Sequence, residues 1–235
     1  METFLRLFEE HAAAVVERQL ALGELLGEHN WWLDLNAGTI SFGERLVCPV
    51  QVLGTEAEAD QTWLWAWANS MSNIPAPLLR AAEQLRALGE REAIRELSDR
   101  MVSLDHANGH MLATVAAGVC RADAYYRCPY EGGAAFVLLE VPELRGRLDA
   151  SPQHLINVFV QVASTFPINH QRAFVLYFEH RGYTLEAQAM QAEARSPAGD
   201  LVHAEFDAAG RLTALNAQIG GKHADRGEGN RSQDG

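Results

Sequence analysis

The chain has 235 residues, enough for one large domain or two small ones, and 48% of them are hydrophobic, which excludes an intrinsically disordered chain. Against 19 Lys+Arg stand 31 Asp+Glu, so the formal net charge is -12; nucleic acid and anionic lipid are disfavoured, and a basic protein is the partner such a surface suits. No stretch approaches the roughly 20 apolar residues of a membrane span.

Residues 3–28 predict an amphipathic helix, with Phe4, Leu7, Phe8, Ala12, Val15, Gln19, Leu22 and Leu26 recurring every 3 or 4 positions and Gly27 as its stop. Gln19 is a flaw in that stripe. The same segment begins acidic, with Glu2, Glu9 and Glu10, and lacks the basic and apolar regions of a signal peptide. Residues 31–69 change period and predict an antiparallel meander of four strands: one from Trp31, one through Thr39, Ile40 and Phe42, one over Leu46 to Leu53, and one over Trp63 to Asn69. Pro49 places the third strand at an edge or a bulge, and Gly54 to Asp60 reads as a polar connection.

The fourth strand is the centre of the reading. In Trp63-Leu64-Trp65-Ala66-Trp67-Ala68-Asn69 the three indoles fall at i, i+2 and i+4, so one strand face carries all three. Leu64, Ala66 and Ala68 make the other face apolar too, the pattern of a strand covered on both sides. The face is read as core, with an aromatic pocket for a planar or cationic ligand as the alternative.

A loop from Asn69 to Pro77 leads into helical residues 76–102, with either a kink at Gly89 or two helices in series. A helix over about 106–119 follows, then a hairpin over 122–141 through Tyr125, Tyr126, Cys128 and the Glu131-Gly132-Gly133 turn. Ser151-Pro152 opens the next helix, Asn169 caps another, and Gly182 ends it. Residues 183–195 and 199–206 predict two strands around Ser196-Pro197-Ala198-Gly199, and 211–216 a last one. The tail over 220–235 has no apolar period and is expected to be disordered. Runs of strands alternating with pairs of helices give an α+β fold: a meander and hairpins in one or two antiparallel sheets covered by helices. The expected organisation is a single domain over 1–219, with a possible extension from 183.

Chemistry-bearing patterns are few. His106 and His110 stand four apart on the predicted helix, a spacing that chelates Zn²⁺, but Ala107 replaces the glutamate of H-E-x-x-H and no third ligand follows. The pair is read as polar residues at a helix start, and no metal or cofactor is expected. Cys48, Cys120 and Cys128 have no metal-knuckle spacing and read as reduced, buried thiols, hence a cytoplasmic protein; Cys128 beside Pro129 is alternatively a partly exposed thiol. Alternation puts Tyr125 and Arg127 on one strand face and Tyr126 and Cys128 on the other. Beside the tryptophan strand, Arg127 would stack on an indole or meet an anionic ligand; otherwise it is a snorkelling arginine. G-x-S-x-G, Walker and G-x-G-x-x-G patterns are absent.

The run Thr62-Trp63-Leu64-Trp65-Ala66-Trp67-Ala68-Asn69, with Pro75 and the helix ending at Leu88-Gly89, resembles a bacterial domain family of unknown function with a W-x-W-A-W-A-N signature. Trp31-Trp32-Leu33-Asp34 and Ala124-Tyr125-Tyr126-Arg127-Cys128-Pro129 are similar to its opening strands and its later hairpin, so the likeness spans roughly residues 5 to 180. It implies a bacterial, cytosolic protein and no assigned activity. The expected function is non-catalytic binding or interaction, in one version neutralising a basic protein. The alternative is a small-molecule-binding protein or unrecognised hydrolase, with Trp63, Trp65, Trp67, Asn69, Tyr126 and Arg127 lining a site beside the tryptophan strand.

Overall fold

Helix α1, Glu2–Leu26, is enclosed on most of its circumference. The apolar stripe of Phe4, Phe8, Ala12, Val15, Leu22 and Leu26 is buried as its spacing requires. A second buried stripe, Glu9, Ala13, Glu17 and Ala21, repeats every four residues beside it. Its alanines let neighbouring elements approach, and its two acids are matched by cations from elsewhere in the chain. The computed structural model describes residues 2–218.

The fold is α+β with two antiparallel sheets. The larger has seven strands: β1 (Trp31–Asp34), β2 (Thr39–Phe42), β3 (Leu46–Ala57), β4 (Thr62–Trp65), β5 (Met101–Ser103), β6 (Ala124–Tyr130) and β7 (Gly133–Leu139). Strand β3 is its spine, pairing with β2 over its first half and with β7 and β4 over its second. Residues 54–57 therefore belong to a strand and not to a connection. Pro49 stands where β3 leaves β2 and takes up β7, so its missing N–H interrupts neither ladder. Tyr126 on β6 contacts Phe42 on β2 at 4.8 Å and Trp31 on β1 at 6.1 Å between ring centroids. Strands β3 and β7 lie between them in the sheet order, so the sheet must curl.

The tryptophan strand is shorter than its pattern. It ends at Trp65, and Ala66–Ala68 forms a 3-10 turn. Trp63 and Trp65 share a face; Trp67 leaves it. Gly54 makes room for the first indole: a Cβ there would come within 2.6 Å of Trp63 Cζ2.

Helices α2 (Arg80–Glu92) and α3 (Arg95–Ser98) follow in series. The break falls at Ala93, whose φ is 55°, not at Gly89. Gly89 instead admits Leu97 against the helix, where an added Cβ would come within 2.8 Å of Leu97 Cβ. The last residues of the predicted helix are strand β5. Helix α4 (Gly109–Val119) starts later than expected because the Asn108 side chain accepts from the Met111 N–H and caps it.

Helices α5 (Pro152–Thr165) and α6 (His170–His180), capped by Ser151 and Asn169, pack between α1 and the second sheet. That sheet has the order β11-β10-β9-β8, with β8 (Thr184–Gln188), β9 (Gln191–Arg195), β10 (Leu201–Phe206) and β11 (Leu212–Gln218). The single strand expected over 183–195 is in fact the β8–β9 hairpin. One continuous apolar cluster runs from Trp63 and Phe136 to Phe174 and Phe206. The expectation for residues 220–235 lies outside the described residues.

A seam cleft with unpaired arginines

The residues singled out in the sequence fall in several separate places. Trp63 and Trp65 have no solvent exposure. The Trp65 indole N–H donates to the Glu96 carbonyl at 3.0 Å, and Trp63 packs edge-on to Phe136 at 5.3 Å. Trp67 lies under the Arg86 guanidinium, 4.6 Å from its ring centroid. The indole-stacking arginine of this molecule is thus Arg86 and not Arg127. The Asn69 side chain accepts from the Ser72 N–H and starts a second 3-10 turn at Ser70–Ser72. Tyr126 is on the opposite sheet face, its hydroxyl 3.0 Å from His29 Nε2.

Arg127 and His110 do come together, on the tryptophan face of the sheet. Arg127 Nε donates to Glu56 Oε1 at 2.8 Å. Beside it His110 Nδ1 is 3.1 Å from the Tyr125 hydroxyl, and the His110 ring stands edge-on to Phe136 at 5.4 Å. Desolvation by these neighbours lowers the His110 pKa, with Glu56 opposing it, although the residue's outer edge is exposed. Glu56 lies against Gly109 at the start of α4, a favourable place for a carboxylate. Each polar group here has a local partner, so the cluster fastens α4 to the sheet. His106 stands in the turn before α4, so the two histidines are not one helical pair. Among the described residues, no three His, Cys, Asp or Glu side chains could hold a metal ion together. Cys48 and Cys128 are buried and Cys120 partly so; burial pushes the first thiol up to about 11, the second to about 12 and Cys120 to about 11.

The site with unspent chemistry is a cleft of about 770 Å³ along the third side of α1. Glu10, His11, Ala14 and Arg18 come from that helix, spaced to face one way. Gly118 and the Arg121–Asp123 segment come from the end of α4; Arg145, Leu148, Leu176, Glu179 and His180 form the far wall. Gly118 seats His11 directly, since an added Cβ would fall within 2.5 Å of the His11 ring and Cβ.

Asp123, buried, holds the two walls together. Its carboxylate accepts from Arg145 at 2.8 and 3.1 Å and from the Val141 N–H at 2.9 Å. Arg18 is only partly exposed. Its Nε is buried without a hydrogen-bond partner, and the side chain makes no ion pair among the described residues. Burial lowers its pKa, with Asp123 and Glu17 opposing, yet a guanidinium stays charged in proteins. Arg121 also has no ion pair or side-chain hydrogen bond among the described residues, and its backbone is left-handed at φ 54°. That position closes α4, with the Ala122 N–H reaching the Ala117 carbonyl at 3.0 Å, and is one where glycine is the usual residue. Burial also lowers the His11 pKa, with Glu10 opposing and Arg18 and His180 adding to the shift.

Sequence reading missed this site because its residues come from four separate stretches and no two form a motif. Arg18 lies beside the predicted stripe of α1, where a charged residue reads as solvated. The one available signal was the Ala12-Ala13-Ala14 run, a mark of close packing on more than one side.

No curated protein and no solved structure matches the chain. The family match covers residues 5–142, less than the 5 to 180 expected, so the near wall of the cleft lies inside it and Arg145, Leu148 and α6 lie beyond. The chain belongs to DUF6882, a family of unknown function.

Proposed function

We propose that the protein is a non-catalytic, cytosolic binding protein and that its ligand occupies the seam cleft. Arg18 carries the reading. A partly desolvated cation without an ion pair costs stability. Such a cost is retained where a ligand supplies the missing charge. The other chemistry-bearing groups are engaged with one another: Arg127 with Glu56, His110 with Tyr125, Arg145 with Asp123. The buried thiols support a reducing compartment.

A thermal-shift screen of neutral, cationic and anionic small molecules, run on the parent beside Arg18→Met, tests this. Compounds that raise the melting temperature of the parent alone are expected. A screen in which no compound discriminates the two proteins contradicts the reading.

A second reading, neutralisation of a basic protein, is favoured by the net charge of -12 and by the outer face of the second sheet. There Glu186 pairs across to Glu193, and His203 lies 3.4 Å from Glu193 and 3.6 Å from Glu205. Carbodiimide cross-linking in cells that maps a basic partner to Glu186, Glu193 or Glu205 supports it; cross-links confined to other faces count against it.

A further inference from the structure

Resting on the seam-cleft reading, we propose that the ligand presents a compact dianionic oxyanion group, of sulfate or phosphate type, held between Arg18 and Arg121. Three guanidiniums line the cleft. Arg145 is already bound through two of its nitrogens to Asp123. Arg18 and Arg121 remain, each without an ion pair among the described residues. Two free guanidiniums match two negative charges, and their planar N–H forks match an oxyanion's geometry better than ammonium groups would.

The nearby carboxylates oppose the desolvation of Arg18 through space only, and neither is paired to it among the described residues. Asp123 accepts three hydrogen bonds from other groups. Glu17 is turned to other cations, with its Oε1 3.5 Å from both His154 and Arg181. Arg121 occupies a left-handed position at the helix end, where a non-glycine residue is strained. Its exposed side chain lines the same cleft.

The cleft also limits the ligand's size and charge. Glu10 and Glu179 stand on its walls, so a polyanion is repelled while a single dianionic head is matched. His11 and His180 supply further donors from facing helices. Arg18 and Arg121 belong to the family-matched part, and His180 and Arg145 to the part beyond residue 142. The bound anion therefore joins the two.

Calorimetry at constant ionic strength tests the assignment, with sodium sulfate, inorganic phosphate and the neutral isostere dimethyl sulfone as probes. The proteins are the full-length parent, Arg18→Met and Arg121→Gly. One site is expected for each oxyanion, weakened at least about tenfold in either variant, with no binding of the sulfone. Arg121→Gly should melt no lower than the parent, which separates lost binding from lost fold. Absence of oxyanion binding to the parent, or binding unchanged in both variants, overturns the proposal. If a monoanionic compound from the screen protects the parent but not Arg18→Met while both oxyanions fail, the dianion falls and the cleft reading stands. If nothing discriminates the parent from Arg18→Met, both fall.

Discussion

Trp65 is fully enclosed and donates its indole N–H to the Glu96 carbonyl, so truncation removes both packing and a buried hydrogen bond. Trp65→Ala is expected to cost about 3–5 kcal/mol in urea unfolding. Trp32, 72% exposed, serves as the comparison, and Trp32→Ala should stay within about 0.5 kcal/mol of the parent. Glu17 allows a test by pH. Burial raises its carboxyl above the usual 4.5, with Arg181 and His154 opposing. The folded state therefore holds this proton more tightly than the unfolded chain. That contribution is fully present below pH 4.5 and is lost as the pH rises through the raised folded value. Glu17→Gln fixes the neutral form, so its stability relative to the parent should improve between pH 4.5 and 7. A relative stability that falls over that range would show the ion pairs outweighing the burial.

Gln19 links residue to element. Its amide donates to the Tyr125 carbonyl and accepts from the Tyr125 N–H, both at 3.0 Å, and so stands in for a neighbouring strand along the free edge of β6. Gln19→Ala leaves both groups unpaired and should cost about 1–3 kcal/mol, with faster amide exchange at Tyr125. In the sequence Gln19 was only an imperfection in an apolar stripe, because the partner lies 106 residues away. Elements with local signals were legible: the caps at Ser151 and Asn169, the stop at Gly27 and the β6–β7 hairpin all stand as their residue types imply. Those without one were not. The β8–β9 turn at Ala189-Met190 contains neither glycine nor proline. Trp67 continues the alternation of Trp63 and Trp65 although the strand has ended, and only tertiary packing separates the two cases.

At the scale of the whole molecule, α1 is the common element. Glu9 receives the Asn169 N–H at 2.9 Å and Arg172 at 2.6 Å, which ties α1 to the start of α6, while Gln19 ties it to β6. One apolar cluster spans both sheets, so the chain is expected to unfold as one cooperative unit. Tryptophan fluorescence, reporting from the seven-stranded sheet, and far-ultraviolet circular dichroism should give coincident urea transitions; separated midpoints would make the part beyond the family match an independent unit. The seam between those parts holds the cleft, and the central claim is that Arg18 is kept for a ligand and not for the fold. Ligand-free urea unfolding of Arg18→Met tests that claim most directly. The claim predicts a variant at least as stable as the parent, by roughly 1 kcal/mol, because an unpaired desolvated charge gives way to an apolar chain. A loss of about 2 kcal/mol or more would show that Arg18 supports the fold, and would contradict the account.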